Sequence, residues 1–159
     1  MQSGSLNSGN LYPKQLYLTL LKYLLINDTA TTYIIIYNID MTETQTLLNA
    51  CVAGIQEKKG RNIRIVDLEG IDDTITKFLI IAEGNSPTQV AAITESVRDF
   101  TRKEAHTKPS AVDGTRNNLW VALDYIDVVV HIFVPDAREF YDIDNLWEDA
   151  KITDIPNLD

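Results

Sequence analysis

The chain has 159 residues, of which 45% are hydrophobic, and it carries a formal net charge of -9 with a pI of about 4.6. This length and composition are typical of a globular protein with one main core. The acidic surface repels phosphate backbones, so it argues against direct DNA binding and favours a basic protein partner. The single cysteine, Cys51, excludes an internal disulfide.

Residues 1–40 differ in composition from the rest, and we predict that they form an N-terminal extension to a domain spanning residues 41–159. The extension opens with a stretch rich in Ser, Gly and Asn, which is typical of disorder. Its apolar segment, Leu16–Ile26, is too short to span a bilayer. No leader with a cleavage site is recognisable, so we expect a cytoplasmic protein. An upstream start codon ahead of Met41 is an alternative origin of the extension.

The first predicted helix covers Thr42–Lys59. Thr42 and Gln45 form a capping-box pattern at its start, and Gly60 is a typical C-terminal stop. One face carries an apolar stripe made of Leu47, Leu48, Cys51, Val52 and Ile55. Cys51 is therefore interpreted as a small buried hydrophobic residue and not as a nucleophile.

Two strands are predicted next, at Ile63–Glu69 and Phe78–Glu83, joined by an acidic and polar connection. The longest helix follows them. Ser86 is placed as its N-cap, Gln89 completes a capping box, and the helix is expected to end near Ala105. The switch from strand to helix favours an α/β domain.

A hairpin is predicted from Trp120–Tyr125 and Val128–Val134, and the second strand is apolar on both faces. Along the first strand, Val121, Leu123 and Tyr125 share one face, while Trp120, Ala122 and Asp124 share the other. A short strand at Pro109–Val112 is predicted before the hairpin, and short helical turns at 137–141 and 145–149 after it. The predicted fold class is α/β, with a mixed sheet of about five strands flanked by helices.

The acidic pair Asp67 and Glu69 lies on one side of a strand, where it could hold Mg²⁺, and Gly84–Ser86 could bind an anion at a helix start. In nucleotidyltransferases the Gly-Ser helix start precedes the Asp-x-Asp strand, whereas here the acids come first. We therefore predict no catalytic site, no metal and no cofactor. A metal-dependent nucleotidyltransferase-like enzyme stays as the alternative.

Trp120 and Tyr125 are candidates for partner binding, because aromatic side chains beside acids are favoured anchors at protein interfaces. The competing interpretation is that Trp120 packs under a helix of its own domain. His131 is interpreted as a structural histidine in the middle of a strand. Three further aromatic residues are interpreted as core-closing residues of the C-terminal turns, namely Phe140, Tyr141 and Trp147.

Four stretches carry a family resemblance: the strand and helix start FLIIAEGNSPTQVAAI, the Asp113-Gly114 pair, the hairpin WVALDYIDVVVHIF and the tail REFYDIDNLW. Together they resemble the ribosomal silencing factor family, also called the Iojap-related family, from about Thr46 to Asp149. The resemblance implies a nucleotidyltransferase-like fold without the catalytic apparatus. It also implies a translation repressor and not an enzyme.

The resemblance further implies binding to the large ribosomal subunit through large-subunit ribosomal protein fourteen, which sterically blocks association with the small subunit. Several members crystallise as homodimers, so a homodimer is an expectation here. Carried over by motif position, the partner-binding residues are Trp120 and Tyr125, with Asp124 and Asp127 completing the motif. An interaction module with a non-ribosomal partner is a further alternative.

The chain departs from the family pattern at three places. Ile126 stands where members commonly have glycine in the hairpin break, and a β-branched residue resists a positive φ. The turn is therefore either not the usual one or strained. Lys77 replaces a common acidic residue before the second strand, and Glu83-Gly84 replaces the usual Thr-Gly.

Overall fold

The computed structural model describes residues 42–158. The predicted N-terminal extension, residues 1–40, and its boundary at Met41 lie outside the described residues. Within the described part, no helix combines the length and the apolar character that crossing a membrane requires.

Six described strands form one mixed sheet. They are β1 (Arg61–Asp67), β2 (Phe78–Glu83), β3 (Ala111–Asp113), β4 (Trp120–Asp124), β5 (Val128–Phe133) and β6 (Lys151–Ile155), in the order β3-β4-β5-β2-β1-β6. Neighbouring strands are antiparallel except β2 and β5, which run parallel in the centre. A parallel pair requires a crossover, and the long helix together with β3 and β4 supplies it. The predicted mixed α/β fold is confirmed.

The sixth strand, β6, corrects the sequence-based count of about five. It pairs with β1 from Ile63↔Ile155 to Asp67↔Lys151. Four of its five residues are exposed, so no alternation of buried and exposed positions marks it in the sequence. The helical turn predicted at 145–149 is also wrong, because a short 3-10 helix lies slightly earlier, at Ile143–Asn145.

Two long helices, α1 (Glu43–Glu57) and α2 (Pro87–Glu104), cover one face of the sheet. Ser86 caps α2 as predicted, since its Oγ accepts a hydrogen bond from Gln89 N–H at 3.2 Å. The larger core lies between these helices and the sheet. Its fully buried members include Cys51, Ile55, Ile80, Ile93, Val97, Leu123, Val130 and Ile132. Burial raises the pKa of the Cys51 thiol, which agrees with its interpretation as a small hydrophobic residue.

A smaller core covers the opposite face of the sheet. It contains Val66, Leu68, Leu79, Ile81 and Phe133. The short helix α3 (Pro135–Tyr141) and the segment that follows it pack over this face. The alternation of strand side chains thus divides each strand between a large core and a small one.

Arg138 of α3 ties the C-terminal segment to the sheet. Its guanidinium group contacts Glu83 Oε1 at 3.0 Å and the Asp144 carboxylate at 2.7 and 2.9 Å. Arg64 of β1 joins the same network through Asp144 at 3.4 Å and Asp154 at 2.8 Å. The hydrogen bond from Arg138 holds the pKa of Asp144 below its usual range. These contacts fix α3, the 3-10 helix and β6 against β1 and β2.

Candidate partner-binding surface

The break between β4 and β5 is a three-residue turn centred on Ile126. Asp127 N–H donates to the carbonyl oxygen of Tyr125 at 3.0 Å, and Ile126 has a φ of 73°. This bond and this φ are those of a classic γ-turn, which is rare and strained. Asp124 Oδ1 accepts from Ile126 N–H at 2.7 Å and braces the turn. Of the two possibilities left by the sequence, the strained turn is the one observed.

Asp127 joins this turn to two neighbouring elements. Its carboxylate lies 2.8 Å from Lys77 Nζ and accepts from Thr44 Oγ1 at 3.1 Å. Its carbonyl oxygen accepts from the N–H groups of Lys77 and Phe78. The hydrogen bond from Lys77 lowers the pKa of the Asp127 carboxyl. Lys77, which departs from the family pattern, therefore supplies the partner of Asp127, and Asp127 has a structural task at the start of α1 and β2.

Tyr125 lies in the large core and is 5% exposed. Its hydroxyl shares a 2.9 Å hydrogen bond with Thr101 Oγ1 of α2, and burial raises the pKa of the phenol. The expectation that Tyr125 acts as a surface anchor beside Trp120 does not fit this geometry. Alternation along β4 directs the two rings to opposite faces, and the helices cover the face of Tyr125.

Trp120 lies partly buried on the other face, under α3. Its ring stacks on Phe133 with the centroids 4.9 Å apart and contacts Tyr141 at 4.7 Å. Its Nε1–H donates to His131 Nδ1 at 3.1 Å, so the His131 proton lies on Nε2. Burial lowers the pKa of His131 to about 4. The structure thus favours the interpretation in which Trp120 packs under a helix of its own domain, while part of its ring stays accessible.

Sequence reasoning missed the residues that present the aromatic surface to solvent. Phe140 is 79% exposed and Tyr141 is 51% exposed, so the expectation that both close the core is wrong. Trp147, by contrast, packs against the small core as expected. No local pattern signals this orientation. Phe140 turns outward on a helix of seven residues because Ala137 and Arg138 face inward, and Arg138 does so through its pairing with Glu83.

The exposed charges of α3 and its C-cap are all acidic. Asp136, Glu139 and Asp142 are exposed, whereas the side chain of Arg138 is 11% exposed and paired within the fold. Asp136 and Phe140 are four residues apart and so are neighbours on one helix face. We call the set Asp136, Glu139, Phe140, Tyr141 and Asp142 the α3 patch.

The structure does not bring together the acidic pair and the Gly84–Ser86 helix start that a nucleotidyltransferase-like site would need. Asp67 pairs with Phe78 at the start of β2, whereas Gly84–Ser86 follow the end of β2, about 20 Å away at strand spacing. Asp67 Oδ1 instead accepts from Glu69 N–H at 2.9 Å and closes its own turn. Among residues 42–158, the His, Cys, Asp and Glu side chains form no group of three or more that could hold a metal ion.

Comparisons with known proteins agree with this fold. The sequence model of the family described as "Ribosomal silencing factor during starvation" matches residues 41–159. The chain is 32% identical over 111 residues to the ribosomal silencing factor RsfS of Bacillus subtilis, a match that covers 70% of this chain and 92% of that protein. It is 38% identical over 81 residues to the chloroplastic protein Iojap of Zea mays, covering 51% of this chain and 35% of that protein.

A crystal structure of a Chromobacterium violaceum protein superposes on this chain with a TM-score of 0.61 at 30% identity, covering 71% of this chain and 92% of that one. The family model includes every residue that the structure describes. The likeness therefore concerns the whole α/β domain, with its sheet and both helical layers. The chain belongs to the ribosomal silencing factor family.

Proposed function

We propose that the protein is a cytoplasmic translation repressor that binds the large ribosomal subunit through ribosomal protein fourteen. The bound domain sterically blocks association with the small subunit. The observation that carries this proposal is the family match over residues 41–159, a range that includes the whole described domain. Relatives in that family are named for ribosomal silencing.

The surface properties of the domain support a protein partner of opposite charge. The net charge is -9, and eight acidic residues lie from Pro135 onward against only Arg138 and Lys151. Such a field accelerates encounter with a basic surface more than it strengthens the final complex.

Trp120 is the residue proposed to lie at the centre of the contact. It belongs to the sheet face that α3 covers only in part, and Tyr141, 4.7 Å from its ring, is itself half exposed. Asp124 and Asp127 contribute by shaping the turn at the end of β4, and Tyr125 by anchoring that turn in the core. In this proposal these three residues maintain the shape of the turn, and Trp120 contacts the partner.

The test is sedimentation of cell lysate through a sucrose gradient. We expect the protein to migrate with free large subunits and to be absent from joined ribosomes. In a reconstituted assay with purified subunits, adding the protein should lower the fraction of joined ribosomes. Migration only at the top of the gradient, together with unimpaired subunit joining, would overturn the proposal.

The Trp120→Ala variant tests the proposed contact, with Trp147→Ala as its matched control. Both tryptophans pack partly buried against the small core, so both substitutions remove a similar apolar contact. We expect only Trp120→Ala to lose migration with large subunits while circular dichroism reports a folded protein. Equal loss of migration with large subunits in both variants would mean that Trp120 has only a structural role, and it would contradict the proposed contact.

A further inference from the structure

We propose that the α3 patch is a docking surface for arginine side chains of a basic protein partner. The inference rests on the proposed function in so far as that partner is ribosomal protein fourteen. It names the chemistry of recognition, in which exposed aromatic rings stack against guanidinium groups and the neighbouring carboxylates bind them.

A continuous row of contacting rings supports the exposed end of this surface. Phe140 stands edge-on to Tyr141 with the centroids 5.1 Å apart, Tyr141 contacts Trp120 at 4.7 Å, and Trp120 stacks on the fully buried Phe133 at 4.9 Å. The row of rings therefore runs from solvent to core. Aromatic rings held in this way offer contact area at a small loss of conformational freedom on binding.

The helix that presents these rings is itself held firmly. Arg138 pairs with Glu83 and Asp144 on the inward side, and both carboxylates are largely buried. A binding surface on a fixed element keeps its side chains closer to the productive geometry than one on a mobile loop. Arg138 is the only basic residue of α3, and it is paired on the inward side. The charged and aromatic side chains on the outer face are therefore acids and aromatic rings.

This combination selects arginine over other partners. A guanidinium group can stack on an aromatic face and bind carboxylates with its remaining donors, whereas an ammonium group acts as a hydrated point charge. A phosphate backbone would be repelled by Asp136, Glu139 and Asp142. A second copy of the chain would place these same acids opposite each other across a symmetric contact.

The first experiment does not depend on the ribosome. Amide chemical shifts of the full chain are followed by NMR while hexa-arginine or hexa-lysine peptide is added. We expect shifts confined to residues 136–142 and the start of β4 at Trp120, larger with hexa-arginine, and absent in Phe140→Ala. Equal responses to both peptides, or responses spread over the whole acidic surface, would overturn the inference.

The second experiment measures binding of the full chain to purified large subunits. Phe140→Ala is compared with Ile75→Ala, since Ile75 is 97% exposed and lies outside the α3 patch. We expect Phe140→Ala to weaken binding by about tenfold or more, as central aromatic anchors do, and Ile75→Ala to leave it within about twofold. Equal binding by the two variants would overturn the inference and leave the proposed function standing.

Failure of the unmodified protein to bind would overturn the proposed function, and the peptide titration would then decide the inference alone. Two other occupants are distinguished by the same variants. A dimer that dissociates in Phe140→Ala, measured by light scattering, would show that a second copy covers the patch. Shifts in amides of residues 1–41 caused by Phe140→Ala would show that the chain covers its own patch. Either result contradicts an arginine-bearing partner.

Discussion

At the scale of single residues, Ile126 is the clearest conflict between sequence and backbone. It is a β-branched residue with a φ of 73°, and its side chain is 69% exposed. Because the side chain is largely exposed, its apolar burial offsets little of the free-energy cost of this strain. The hydrogen bonds of Asp124, Asp127 and Tyr125 around it determine the turn.

We expect Ile126→Gly to raise the free energy of unfolding by about 1 kcal/mol. Left-handed backbone costs roughly 1–2 kcal/mol for a residue with a Cβ, and the greater freedom of glycine in the unfolded chain offsets part of the gain. Urea denaturation measures the change. Ile75→Gly is the control, because Ile75 is more exposed and has no positive φ. A destabilised Ile126→Gly protein would contradict a strained turn.

His131 predicts a dependence of stability on pH. Burial lowers its pKa from 6.5 to about 4 in the folded protein. Between these values the unfolded chain binds a proton that the folded protein does not, so the free energy of unfolding falls as the pH drops from 6.5 toward 4. The loss reaches about 3 kcal/mol at the acidic end. Urea denaturation at a series of pH values follows it.

The control is His131→Asn, which keeps an acceptor near the Trp120 Nε1–H and does not titrate in this range. Asp127 and Asp144 also have lowered pKa values, but both proteins contain them and their effect cancels in the difference. The stability difference between the two proteins should shrink as the pH falls. A constant difference from pH 4 to 7 would argue against a buried neutral histidine.

At the scale of elements, the attachment of α3 depends on Arg138 more than on apolar burial. None of the seven residues of α3 is fully buried. The side chains of Arg138 and Asp144 are only 11% and 12% exposed, so their pairing takes place largely away from water. Removing Arg138 leaves the carboxylates of Glu83 and Asp144 without this counter-charge.

We therefore expect Arg138→Met to destabilise the protein by about 2–4 kcal/mol and to increase hydrogen exchange in α3 and β6. Arg102→Met is the control, because Arg102 forms an exposed pair with Asp99 within one helix and such pairs contribute about 0.5 kcal/mol or less. Similar destabilisation in both variants would mean that the network does not anchor α3.

The elements differ in how far the sequence predicts them. Ser86 and the alternation of Val121 and Leu123 are local patterns, and the structure confirms both. β6 carries no such pattern, because its pairing with β1 is distant in sequence and most of its residues stay exposed. The outward turn of Phe140 depends on the inward pairing of Arg138, which is a tertiary contact.

At the scale of the whole molecule, the resemblance identified the family, while the role of Trp120 in partner binding stays a prediction from the motif positions. Tyr125 was expected at the same contact. It follows Trp120 by five positions, an odd number, so the alternation of side chains along the strand directs it to the other face of the sheet. The net charge of -9 comes mostly from the C-terminal part of the chain, where eight acidic residues from Pro135 onward outnumber two basic ones. Charge is thus the global property that we expect to act at a distance.

The rate of association with large subunits should therefore fall as salt rises. Attraction between exposed charges is screened over about 10 Å at 0.1 M salt. We expect a decrease of about tenfold in the association rate constant between 50 and 300 mM salt, with a smaller change in the dissociation rate constant. Stopped-flow fluorescence measures both. A rate that is independent of salt would argue against a basic partner.

The strand order has a consequence for the kinetics of folding. The β1–β2 and β4–β5 pairs are each nearly local, but the two halves of the sheet are joined by the parallel ladder from Phe78↔Val128 to Glu83↔Phe133. Closing so long a loop delays its formation, so we expect this central ladder to set the folding rate. Ile80→Val in β2 should then slow refolding, whereas Ile152→Val in β6 should mainly speed unfolding, as measured by stopped-flow chevron plots.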